Sequence, residues 1–140
     1  MEMAGPKLHH VVFVVEPENQ ERAADLWRDL GLTFVEIPLA EEGLRVLLDW
    51  SAGIEIVSPT EPAGTETARF RQLLDTQGAG VCSVVVRTEE VEGPLSVALR
   101  HGAEVRYRQH REDGEMVLDE IDLTPVCGMP VTLLATTRPD

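Results

Sequence analysis

Leu8-His9-His10-Val11-Val12-Phe13-Val14-Val15 is a stretch the chain states twice, the second time as Val81-Cys82-Ser83-Val84-Val85-Val86-Arg87. Each is a β-branched run opened by small or polar side chains and followed by acidic residues and a helical pattern. With His10 set against Ser83 the offset is 73 residues, and later landmarks keep nearly that spacing. Gly31, which closes the first helical pattern, answers to Gly102 at an offset of 71. Glu55 in Gly53-Ile54-Glu55-Ile56-Val57 answers to Thr132 in Pro130-Val131-Thr132-Leu133-Leu134 at an offset of 77. Three landmarks in register imply an internal duplication, and that duplication orders the rest of the chain.

Each copy reads β-α-β-β-β. In the first, a strand over 8–15 precedes a helix from Glu18 to Leu30, with Asn19 as its cap and Gly31 as its stop. Ala23, Leu26, Trp27 and Leu30 fall at helical spacing and predict one stripe against a sheet. Leu32 to Ile37 alternates as a strand, Pro38 to Gly43 is an acidic turn, and Leu44–Trp50 and Gly53–Ser58 form a hairpin. The segment from Pro59 to Gly80 opens as loop and then carries Phe70, Leu73 and Leu74 on a short amphipathic helix. The second copy repeats the pattern: a strand at 81–87 and a helix to Arg100 that buries Leu95, Ala98 and Leu99. Strands then follow at Ala103–Gln109, Met116–Leu123 and Met129–Ala135. In the first of these, alternation puts Arg106 and Arg108 on one face and Val105 and Tyr107 on the other. The expectation is a single α+β domain over 1–140, with module 1 at about 8–58, a linker at 59–80 and module 2 at about 81–136. Either module alone would be marginal, so the two should share a core.

The formal charge is −13, from 12 Lys and Arg against 25 Asp and Glu. Such a field repels phosphate backbones and argues against nucleic acid as a partner. Lys7 is the lone lysine; every other cation is an arginine, the better receptor for planar anions. Cys82 and Cys127 have neither CxxC nor zinc-ligand spacing. Met1 to Gly5 is short and polar, unlike a signal peptide, and no apolar run approaches the length of a membrane span. A cytoplasmic location with reduced thiols is the expectation.

Paired β-α-β-β-β modules with these markers resemble the vicinal oxygen chelate superfamily, which includes glyoxalase I, bleomycin-resistance proteins, extradiol dioxygenases and methylmalonyl-CoA epimerase. The resemblance covers about 8–136. The local likeness is to the epimerase branch, in Gly53-Ile54-Glu55-Ile56-Val57-Ser58-Pro59, in Phe70-Arg71-Gln72-Leu73-Leu74, and in Gly78-Ala79-Gly80-Val81. It implies one curled, U-shaped mixed sheet around a cleft that holds a divalent metal. The superfamily's ligands come from strands one, four, five and eight, and carried over position by position they are His10, Glu55, Ser83 and Thr132. A histidine is usual where Ser83 stands and a glutamate where Thr132 stands, so half of the set is lost. One imidazole and one carboxylate hold a divalent ion weakly, and neutral hydroxyls do not replace the missing ligands. Cys82, one residue from Ser83, is the outside alternative for a third ligand, although a one-residue shift reverses side-chain direction.

The resemblance then implies a degenerate metal site: no cofactor as the first expectation, a divalent metal as the alternative. His10 and Glu55 are the candidate catalytic pair, with an internal hydrogen-bonded pair as the plain structural reading. Phe13, Arg45, Leu47, Trp50, Ser83, Val85 and Thr132 are the candidate ligand-binding residues. A basic cluster of Arg100, His101, Arg106, Arg108, His110 and Arg111 reads either as a charged edge strand or as an anchor for the phosphates of a CoA-like ligand. Three functions follow: a small-molecule-binding isomerase or lyase acting by acid–base chemistry, a metal-dependent epimerase or dioxygenase, and a non-catalytic drug or metabolite sequestering protein. A small organic molecule is the expected partner, and a homodimer the expected assembly.

Overall fold

The computed structural model describes residues 5–39, 42–60 and 64–139, and side chains 64–66 are not described. The acidic turn expected at 38–43 and the loop expected at 59–64 therefore lie partly outside the described residues. The chain divides into two compact units, one made of His10–Cys82 and the other of Ser83 onward together with the residues through His9. It is an α+β protein made of two β-α-β-β-β modules. Module 1 comprises β1 (Lys7–Val14), α1 (Gln20–Asp29), β2 (Val35–Ile37), β3 (Leu44–Asp49) and β4 (Ile54–Pro59). Helix α2 (Gly64–Gln77) follows, then module 2: β5 (Gly80–Arg87), α3 (Glu92–Arg100), β6 (Val105–Asp113), β7 (Met116–Leu123) and β8 (Val131–Thr136). No helix among the described residues is long and apolar enough to cross a membrane.

Strand pairing repeats between the modules, with orders β2-β3-β4-β1 and β6-β7-β8-β5. The first and last strands of each module run parallel and the rest antiparallel, so the pairing within each module is mixed. The repeat extends to single residues. Val12 pairs with Glu55 in β1 and β4, and Val85 pairs with Thr132 in β5 and β8. Val11 N–H donates to Gly53 O at 2.9 Å and Val84 N–H to Pro130 O at 2.8 Å, the same bond in each copy. His10 and Ser83 each lie two residues before those paired valines, so the offsets read from the sequence are offsets of register.

Helix α1 buries a different stripe from the expected one. Ala24 is fully buried and Ala23 and Trp27 pack beside it, whereas Leu26 and Leu30 are 60% and 67% exposed. The true stripe is Gln20, Ala23, Ala24 and Trp27, again at helical spacing. Gln20 disguises it: this buried amide donates to Arg45 O at 2.8 Å and Ile56 O at 3.1 Å, fastening the helix to the sheet through polar bonds. Asn19 stands at the helix start without a side-chain capping bond, because a 3-10 turn over Pro17–Asn19 leads into the helix. In module 2 the core gathers Val91, Leu95, Ala103, Ile121, Leu123, Leu133 and Ala135, with Ala98 against it, while Leu99 is exposed. Ala24, Leu47 and Ile56 form the corresponding core of module 1.

Asp49 ties the β3–β4 turn together. Its carboxylate accepts from Ala52 N at 2.9 Å, Thr33 N at 2.9 Å and Ser51 Oγ at 3.2 Å. Those bonds, led by the Ala52 and Thr33 amides, hold its pKa below the ordinary 3.8. The stabilisation is present above that value and is lost as pH falls through the depressed folded one. Asp49→Ala is expected to cost about 1 kcal/mol at neutral pH and almost nothing below the folded pKa. Urea unfolding at the two pH values checks this, and an equal loss at both would refute the assignment.

Candidate functional site

The parallel pairing of β1 with β4 places His10 and Glu55 on one face of module 1, and the side chains meet. His10 Nε2 lies 3.4 Å from Glu55 Oε1; the imidazole is buried and the carboxylate is 22% exposed. Trp50, just past the end of β3, sets its ring centroid 6.0 Å from that of His10, tilted by 35°. Val12 and Leu48, the cross-strand partners of Glu55, share this face and are buried. A titratable pair thus sits among apolar walls, with access through the carboxylate. Such a setting strengthens electrostatic contacts within it.

Module 2 holds a hydrogen-bonded network at the equivalent positions. Thr132 Oγ1 donates to Asp122 Oδ1 at 2.9 Å, so Ser83 Oγ, 2.6 Å from Thr132 Oγ1, donates to the threonine oxygen. Asp122 Oδ2 accepts from Arg106 Nε at 2.9 Å. Ser83, Thr132 and Asp122 are buried. Val85 is the cross-strand partner of Thr132 and, two residues from Ser83, shares their face, where alternation puts it.

The face assigned to three residues is corrected. Phe13 packs on Trp27 of α1 with centroids 6.0 Å apart, and Leu47 joins Ala24 and Ile56 in the helix-side core. Arg45 reaches Glu21 at 2.6 Å and Glu36 at 3.2 Å. All three face the helix, away from His10 and Glu55. The physical reason is parity: His10 and Phe13 are an odd number of residues apart, and Leu48 rather than Leu47 pairs with Glu55. Cys82 is buried next to Ser83 on β5, and among the described residues no three His, Cys, Asp or Glu side chains gather as a metal site. Cys127 is exposed, in a tight turn with positive φ between Val126 and Met129.

Three of the six members of the basic cluster, Arg106, Arg108 and His110 on β6, an outer strand of module 2, meet acidic side chains. Arg108 bonds Glu92 at the start of α3, and His110 pairs with Asp119 and Glu112. Arg106 parts company with Arg108, contrary to the expected sharing of a face. A register irregularity between Val105 and Tyr107 turns it toward Asp122. The Asp119 and Glu112 contacts raise the His110 pKa above 6.5. Its contribution is therefore complete below the unfolded value and disappears as pH climbs through the raised folded value. Asp119→Asn is expected to bring the His110 midpoint down in a ring-proton NMR titration, and an unchanged midpoint would remove Asp119 as the cause.

The donor chemistry does not suit a four-ligand divalent ion. Module 1 offers an imidazole and a carboxylate. Module 2 offers two neutral hydroxyls bonded to each other and a carboxylate already paired with a guanidinium.

No protein-family profile matches the chain. No curated protein matches it. Solved structures do. A Streptomyces coelicolor methylmalonyl-CoA epimerase variant in complex with 2-nitronate-propionyl-CoA superposes with a TM-score of 0.69 at 18% identity, covering 96% of this chain and 100% of that one. The Mycobacterium tuberculosis methylmalonyl-CoA epimerase gives 0.66 at 20%, covering 96% and 92%. A variant of 4-hydroxymandelate synthase from Streptomyces coelicolor gives 0.71 at 14%, covering all of this chain and 51% of that one. At such identities the likeness is one of fold.

Proposed function

We propose that this chain binds a small organic molecule against the face that carries His10, Glu55 and Trp50, and moves a proton on it without a metal, as an isomerase or lyase. The observation that carries the reading is the 3.4 Å contact between a buried imidazole and a partly exposed carboxylate beside an indole. Glu55 is the group a ligand can reach, so its carboxylate takes the proton from a carbon acidified by a neighbouring carbonyl. The electron pair of the broken C–H bond moves onto the carbonyl oxygen as an enolate. The imidazole supplies a hydrogen bond to its partner or to that oxygen, and the proton returns to carbon on reprotonation. Trp50 offers a flat apolar wall for the ligand. The epimerase structures, one of them in complex with methylmalonyl-CoA, suggest an acyl thioester as the first molecule to try.

The test is incubation with methylmalonyl-CoA in D2O, with and without EDTA, reading α-deuterium by mass spectrometry. Exchange that persists in EDTA supports the reading. Exchange seen only with added divalent ion would instead make the chain a metal-dependent enzyme. A thermal shift with the thioester but no exchange would favour sequestration.

A further inference from the structure

The polar network of module 2 is not something this fold requires. Where Asp122 pairs with Thr132 in β7 and β8, module 1 pairs Leu48 with Glu55 in β3 and β4. The same strand pattern thus forms with an apolar side chain at that position. A buried carboxylate is unfavourable unless it is matched, and here the match is Arg106. That arginine arrives through the irregularity in β6 that re-aims it, a device found beside functional sites.

How Arg106 is held matters more than that it is held. Its Nε–H goes to Asp122, and among the described residues its terminal NH2 groups have no further partner, while its side chain is 26% exposed. Arg28, Arg45 and Arg71 are used differently, each meeting two surface carboxylates. Asp122 is itself fixed by Thr132, and Thr132 by Ser83, so the guanidinium is oriented from behind by a buried chain of hydrogen bonds. A guanidinium anchored through Nε keeps its NH2 groups for a planar, paired contact with a second carboxylate. We infer that Arg106, backed by Asp122, Thr132 and Ser83, is a receptor for the carboxylate of a small organic acid. The inference stands on module 2 alone and does not depend on proton transfer at His10 and Glu55.

Malonate is the probe, titrated into the full chain while the arginine Nε–H resonances are followed by NMR, with chloride at matched ionic strength as control. Wild type should show a saturable shift of the Arg106 signal with malonate and none with chloride. Arg106→Lys, which keeps the charge but not the fork, should weaken binding, read by calorimetry, about tenfold or more. Arg106→Gln combined with Asp122→Asn is a neutral pair that leaves no stranded charge, and it should abolish binding while circular dichroism shows a folded chain. Glu55→Gln should bind malonate like wild type, which separates this inference from the proton-transfer reading. An Arg106 signal that never saturates, one that chloride moves equally, or a heat of binding that survives in the neutral pair would each overturn the assignment.

Discussion

Glu55→Gln is expected to slow α-proton exchange by about 10² to 10⁴, the usual worth of a positioned acid–base group, while leaving ligand affinity within a few-fold. The amide keeps the size and hydrogen-bonding reach of the carboxylate but takes up no proton. With Glu55 at 22% exposure the exchange should cause little loss of stability, so a fall in rate can be read as chemistry. His10→Gln should fall by a similar factor, because the imidazole is the carboxylate's neighbour at 3.4 Å. The double variant should be scarcely worse than the poorer single one, since groups acting as a unit are strongly non-additive. Trp50→Ala should act otherwise, raising the ligand's dissociation constant more than it lowers the rate. Both pair variants exchanging within about tenfold of wild type would remove His10 and Glu55 from the chemistry.

The two modules were legible in the sequence because strand identity is written in β-branched composition and element ends in glycine. Gly31 and Gly102 stop the helices at positions where φ is +108° and +94°, conformations a side chain rarely adopts. The contact between His10 and Glu55 was legible for a related reason. Parallel strands that both open on a turn can be aligned from either copy, and the second copy confirms the register through Val85 and Thr132.

What stayed hidden depends on single-residue parity. Phe13, Arg45 and Leu47 were placed on the wrong face because a shift of one residue reverses every side chain of a strand. The buried face of α1 was misread because Gln20 is polar, and spacing alone cannot announce that an amide will be buried by bonding two carbonyls. Arg106 was invisible for the strongest reason of the three. The irregularity that turns it is a backbone event, and alternation presumes that no such event occurs. Asp122 does carry a readable signal. In Asp122-Leu123 it falls on the face opposite Ile121 and Leu123, and the hairpin with β8 sets it against Thr132.

The pair Arg106 and Asp122 allows a stability experiment with a large and signed outcome. Arg106→Leu removes the countercharge of a carboxylate that is 6% exposed, and breaking a buried pair from one side costs about 3–5 kcal/mol. The lower end is expected here, since the guanidinium is 26% exposed and water already screens that side. Asp122→Leu should cost less, about 1 kcal/mol, because the released arginine can hydrate and Thr132 loses one acceptor. Arg106→Leu with Asp122→Leu should return to within about 1 kcal/mol of wild type, as apolar replacement of a whole buried pair often does. Module 1 shows why: Leu48 occupies the position paired with Glu55 as Asp122 is paired with Thr132. Urea unfolding of the four proteins closes the cycle, and the coupling should be at least about 2 kcal/mol. A double variant as unstable as Arg106→Leu would mean that the ion pair holds the sheet together. A double variant that is stable but no longer takes malonate would mean that the chain keeps the pair for its ligand, with stability the lesser part of its role.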